Sequence, residues 1–196
     1  MPRRPSALLP PLHLLAGALA ALLLSGACIQ RPDPMGGRRE GFDRQAAAEA
    51  LASALPTDAT LAHSRFDDGV QLEAYRVTPA HPQAGRGAAL ELYWRVLDPP
   101  PAGDWRVFVH VDLRGGGRVG NADHEPAGGR YPSDAWQPGE LIRDTVPLPL
   151  PPQPGVIDLW VGLYRGGARL PISAGGRLRA ASDNRLALKP VSVGAL

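Results

Sequence analysis

The chain has 196 residues, room for one domain of ordinary size. Of its 21 basic residues only Arg3 and Arg4 precede Cys28, while all 19 acidic residues follow it, so residues 28–196 have a formal net charge of zero and no electrostatic footprint for nucleic acid. Cys28 is the single cysteine, which excludes a disulfide within the chain.

The first element in chain order is an export signal over residues 1–27. Arg3 and Arg4 supply a positive start, Leu14 to Leu24 an apolar run, and Ser25, Gly26 and Ala27 a small-residue cleavage site before Cys28. A membrane-spanning helix needs ~20 apolar residues, and Pro10, Pro11 and His13 cut this run short. The stretch LSGAC resembles the bacterial lipobox, in which the cysteine is lipidated and becomes the mature N-terminus. It departs from that pattern at Ser25, where a leucine is usual, with Leu24 one place further back. The resemblance implies a lipoprotein of the bacterial cell envelope, anchored to a membrane on its periplasmic side or surface, with Cys28 the lipidated residue. Each buried CH₂ of such an anchor contributes ~0.8 kcal/mol. An ordinary signal cleaved nearby, leaving a free thiol, is the alternative.

Residues 28–42 are polar, contain Pro and Gly and lack periodicity, so they read as a flexible tether. Residues 43–60 hold a short helix and linker: Asp43 caps an alanine-rich run to Leu55, and Pro56 stops it. Its few large apolar residues predict a peripheral helix.

The period then changes to two. Ala88, Leu90, Leu92, Trp94 and Val96 alternate with Ala89, Glu91, Tyr93 and Arg95. The same holds for Trp105 to Leu113 and for Ile157 to Tyr164, and each run predicts a strand with one apolar face. Val70–Thr78, Leu141–Leu150 and Leu186–Val193 are weaker strands, the second at a sheet edge because Pro147 and Pro149 lack an N–H. Pro- and Gly-rich segments between them predict an all-β fold over residues 61–196, an immunoglobulin-like or jelly-roll-like antiparallel β-sandwich.

The runs FDDGVQLEAYRVTP, LELYWRV, WRVFVHVD, YPSDAWQPGELIRD and LWVGLY, in that order over about Leu61 to Val193, resemble a β-sandwich domain of bacterial envelope proteins. That domain often follows the membrane-spanning part of glycosyltransferases of the dolichyl-phosphate-mannose type and also occurs in small lipoproteins. The resemblance implies the sandwich fold and the envelope setting and assigns no catalytic residue.

Two constellations carry candidate chemistry. His110 and Asp112 share a face of one strand, and Asp123 and His124, with Glu125, follow in the next polar segment. Two imidazoles and two carboxylates suit Zn²⁺ or a similar ion, or else hydrogen-bond to one another and fix the loop. The loop Tyr131–Gly139 sets Tyr131 and Trp136 beside Asp134 and Gln137, an arrangement that stacks and hydrogen-bonds a sugar if the rings are exposed. Its structural alternative is a Trp136 turned inward to plug the core. No GxSxG elbow, P-loop or GxGxxG follows a strand, and Gly115–Gly117 reads as a tight turn. The expected function is a membrane-anchored, non-catalytic module, without cofactor, binding an envelope glycan or a protein partner. The alternative is a metal- or carboxylate-dependent hydrolase of envelope polymers.

Overall fold

Where apolar and polar residues alternate, the chain forms antiparallel strands in two facing sheets. The structure, a computed structural model, describes residues 36–67 and 69–196, so the export signal and Cys28 lie outside the described residues. The first sheet contains β1 (Thr60–Phe66), β2 (Val70–Thr78), β3 (Ala89–Val96), β6 (Leu141–Pro147) and β9 (Ile172–Ala174) in the order β6-β3-β2-β1-β9. The second contains β4 (Arg106–Leu113), β5 (Arg118–Asn121), β7 (Gly155–Arg165), β10 (Arg179–Ala180) and β11 (Leu186–Ala187) in the order β10-β11-β7-β4-β5. Two short strands, β8 (Ala168–Arg169) and β12 (Val191–Val193), also pair with β7. The fold is thus an all-β antiparallel sandwich.

The inward faces are the apolar ones. Leu90, Leu92, Trp94 and Val96 of β3 pack with Val107, Val109 and Val111 of β4 and with Ile157, Leu159, Val161 and Leu163 of β7, all buried in one cluster. Each such side chain contributes about 1.5–3 kcal/mol by leaving water. β6 lies at a sheet edge, as Pro147 requires. The 186–193 segment is not one strand, because Pro190 separates β11 from β12.

The N-terminal part packs more closely than its composition suggests. Gly36–Gly41 forms a helical turn, α1, inside the stretch expected to be tether. Arg39 there is only 6 % exposed and donates through Nε to the Trp136 carbonyl (3.0 Å) and through its guanidinium to that of Pro101. Asp43 caps the next helix, accepting from the Gln45 N–H (2.9 Å). That helix, α2 (Arg44–Ala47), runs only one further turn, Ala48–Ala50, rather than reaching Leu55. It stops early because Leu51 forms a bridge with Ile142 and the Ala52 N–H donates to the Leu141 carbonyl (2.8 Å), which draws the chain into pairing with β6. Ala47 and Ala50 are buried in the main core, since small side chains permit close approach.

Beyond that bridge, Ala52, Leu55 and Ala59 cover Ala74, Tyr93 and Leu141 on the first sheet's outer surface. Glu91, a polar member of the β3 alternation, is buried on this same surface. It is 8 % exposed, accepting from Arg76 (3.0 Å) and from the Tyr93 hydroxyl (2.5 Å). Burial and then the Glu91 carboxylate push the Tyr93 hydroxyl up to about 12.

Candidate binding face on the second sheet

Strand pairing builds the outer surface of the second sheet row by row. His110 of β4 is opposite Trp160 of β7, Trp160 is opposite Ala187 of β11, and Ala187 is opposite Arg179 of β10. Directly paired residues point to the same side, so these four share one row. The short Ala187 side chain leaves room for Arg179 to lie over the Trp160 ring, with its guanidinium carbon 4.9 Å from the ring centroid. Arg185 also lies over that ring, at 4.6 Å. In neighbouring rows Phe108 faces Gly162, and Arg106 faces Tyr164. Arg106 sits 5.7 Å from the Tyr164 centroid and Arg169 sits 5.1 Å from that of Phe108. Trp160 and Tyr164 remain half-buried. Arginines resting on aromatic faces keep their planar donor edges oriented.

Carboxylates take up only some of these cations. Asp158 pairs with Arg114 (2.5 Å), Asp112 pairs with Arg118, and Asp183 is shared by Arg169 (3.0 Å) and Arg185 (2.7 Å). The Asp183 carboxyl is held below its usual range by the Arg185 hydrogen bond above all. Arg106 and Arg179 have no carboxylate partner among the described residues.

Two concavities open along β7. One, about 200 Å³, is lined by Phe108, His110, Asp123, Tyr164, Arg169 and the Gly166–Ala168 turn. Phe108 reaches its wall by lying over Gly162, where a Cβ would meet the ring at 2.5 Å. The other, about 300 Å³, is lined by Arg114, Arg177, Arg179, Lys189 and Asp158 over an apolar floor that includes Leu178 and Leu188. A bulge in β1 positions Arg177. The strand slips register between Leu61 and Ser64, with His63 at φ 49°, and the freed Ala62 carbonyl accepts from the Arg177 N–H (2.8 Å). Gly176 passes so close that a Cβ would meet the His63 carbonyl oxygen at 2.1 Å.

The four residues expected to form a metal set do not converge. His110 and Asp112 share the outer face, but Asp112 is engaged by Arg118, and His110 Nε2 is 4.0 Å from Asp123. Asp123 also accepts from the Val109 N–H (3.1 Å). His124 bridges Val107, whose side faces inward, and so turns into the sandwich toward Asp144 (2.9 Å). No group of three or more His, Cys, Asp or Glu side chains among the described residues is placed to hold a metal ion. Burial, and then Arg118, lowers the His110 pKa, so its imidazole is neutral at neutral pH.

The Tyr131–Gly139 loop is a core plug. Tyr131, Asp134 and Trp136 are all fully buried, which corrects the reading of this loop as an exposed sugar platform. The Trp136 ring N–H donates to the Tyr131 carbonyl (3.0 Å), and the Tyr131 hydroxyl donates to Glu140 (2.6 Å). Arg44 reaches both Tyr131 and Glu140, and Phe42 packs on the Tyr131 ring at 5.2 Å. Gln137 is partly exposed, and its backbone N–H donates to Glu140 (2.9 Å). Ser133 is buried and accepts from the Trp105 N–H (2.6 Å).

Trp160, Tyr164 and the arginines around them were missed as a site in the sequence. Trp160 and Tyr164 stand in plain view as the polar-side members of the β7 alternation, but Arg177, Arg179 and Arg185 lie in a segment without periodicity. No helix among the described residues is long and apolar enough to cross a membrane. No protein-family model matches the chain, and no curated protein matches it in sequence.

Proposed function

We propose that this chain is a lipid-anchored protein of the bacterial cell envelope whose sandwich is a non-catalytic module, binding an envelope glycan through the outer face of the second sheet. The observation that carries the reading is the pair of half-buried aromatics, Trp160 and Tyr164, set beside two concavities and edged by arginine side chains. Ring surface left uncovered by the arginines offers apolar contact to a sugar's C–H groups, and guanidinium edges donate to its hydroxyls. The likeness to envelope β-sandwich domains and the LSGAC stretch point to the same setting. With Cys28 as the lipidated residue, residues 29–35 precede helix α1, and seven residues reach at most about 25 Å from the bilayer surface.

Two measurements test this. Mass spectrometry of the protein made in a bacterial host should find acyl chains on Cys28, lost in Cys28→Ser; an unmodified N-terminus elsewhere removes the anchor. A glycan array probed with the detergent-solubilised protein should give ligands whose binding falls at least tenfold in Trp160→Ala and Tyr164→Ala, without loss of fold. Glycans bound equally well by both variants place the site elsewhere, and capture of a protein with no glycan bound favours a protein partner.

A further inference from the structure

We infer that the glycan bound by this face is anionic, bearing carboxylate or phosphodiester groups, and that the concavity between β7, β10 and β11 is its anion subsite. The inference rests on the glycan reading above and adds the charge of the ligand and the residues that read it. The concavity sets Arg114, Arg177, Arg179 and Lys189 around a single carboxylate, Asp158. Asp158 is taken by Arg114, so three cations face the opening with no acidic partner among the described residues. A neutral sugar needs no such excess, because hydroxyls are served by either charge.

The arrangement is built rather than incidental. The β1 bulge and the glycine at position 176 hold the Arg177 backbone. The Ala187 gap lets Arg179 rest on Trp160. The Lys189 N–H donates to the Tyr75 hydroxyl (2.9 Å), which ties that residue to the first sheet. Arg106, a further cation of this face without a carboxylate among the described residues, stands opposite Tyr164, four residues along β7 from Trp160. At the rise of a strand, four residues cover roughly 14 Å. Anion-reading groups at both ends of a 14 Å aromatic track (roughly, on the same rise) suit a polymer that repeats its charge. Guanidinium forks bind carboxylate and phosphate oxygens two at a time, which a lysine does not do.

The test uses the processed full-length protein in non-ionic detergent and immobilised polymers: polygalacturonate, a glycerol-phosphate polymer and neutral dextran. Binding to one or both anionic polymers, absent on dextran, is expected to weaken at least tenfold when salt is raised from low to several-fold above physiological. Comparing the two polymers decides between carboxylate and phosphodiester. Arg177→Gln with Arg179→Gln should weaken it about tenfold or more, Arg177→Lys with Arg179→Lys should fall between, and Arg95→Gln on the other sheet should have no effect. Unchanged thermal unfolding in the lysine pair shows that the loss is not misfolding. Equal, salt-insensitive binding to dextran, retained in the glutamine pair, overturns the anionic inference and leaves the glycan reading standing. Binding to no glycan at all overturns both. Displacement by micelles containing phosphatidylglycerol but not by free polygalacturonate or glycerol-phosphate polymer identifies a lipid surface instead, and overturns it as well.

Discussion

Nε2 of His124 lies 3.0 and 2.9 Å from the two carboxylate oxygens of Asp144, while its Nδ1 lies 2.8 Å from the Ala122 carbonyl. Both ring nitrogens therefore face acceptors, which only the doubly protonated imidazole satisfies. Asp144 is fully buried on β6 of the first sheet and also accepts from the Ala127 N–H (2.9 Å). His124 bridges β4 of the second sheet. The pair fastens one sheet to the other in a place where two free charges would be expensive.

Burial alone pulls the His124 pKa down, but the hydrogen bond and charge of Asp144 outweigh it, and the net shift is upward from 6.5. The pair's stabilisation is complete below pH 6.5 and is lost as pH rises through the raised value. Thermal unfolding of the wild type should thus fall as pH is raised above 6.5, and His124→Gln should remove that slope. Asp144→Ala, which strands a cation, should cost about 3–5 kcal/mol. A His124→Gln curve parallel to wild type above pH 6.5 would refute the cationic assignment.

His110 acts on the other side of the same pH. Burial first, and Arg118 second, lower its pKa below 6.5. The unfolded chain then binds the proton more readily, so stability should decline as pH falls from 6.5 through the lowered value. His110→Gln should flatten the acid limb relative to wild type. An unchanged acid limb would show that the imidazole is better solvated than its place beside Phe108 implies.

Leu92 and Leu159 are buried on facing strands of the two sheets. Each truncation to Ala should cost about 2–5 kcal/mol. Glu91→Ala should also be costly, about 1–3 kcal/mol, because it leaves the Tyr93 hydroxyl buried without its acceptor. Denaturant titrations giving Glu91→Ala wild-type stability would mean that residues 52–59 do not seal that face.

Trp136→Ala should cost about 3–5 kcal/mol, the range for a core aromatic. Tyr131→Phe should cost about 1–3 kcal/mol, since it breaks a buried hydrogen bond to Glu140 and removes one of the two partners of Arg44. Neither should alter glycan affinity once stability is allowed for. A Trp136→Ala protein as stable as wild type but unable to bind would return the site to this loop.

Gly162→Ala probes the smaller concavity through Phe108, which lines it. The added Cβ would lie 2.5 Å from Phe108 Cζ and 3.2 Å from the Asn184 carbonyl oxygen, so the ring must swing aside. Over-packing of this kind costs about 1–3 kcal/mol, and the displaced ring should reshape the space beside His110 and Arg169. Calorimetry paired with the array readout checks both effects; wild-type stability would show that Phe108 moves freely.

Period-two alternation is a local property, so strands β3, β4 and β7 with their apolar faces were legible from residues 88–96, 105–113 and 157–164 alone, and β2 more weakly from residues 70–78. So were the Asp43 cap and the edge position of β6, because a proline's missing N–H and a capping carboxylate act within a few residues. The short strands β5 and β8 to β10 hold two to four residues each, too few to show a period, and exist because β1, β4, β7 and β11 offer ladders to pair with. Burial of Glu91 depends on residues 52–59 folding back over β3, and burial of Trp136 on Arg39 and α2 closing that end. His110 and His124 read alike in the sequence. Their separation came from a bridge that turned His124 inward to Asp144 while strand alternation kept His110 outside. The row from Arg179 through Ala187 to Trp160 joins residues up to 27 positions apart at most by antiparallel register. Register is set by how whole strands bury their apolar faces, and that balance is a property of the assembled sandwich.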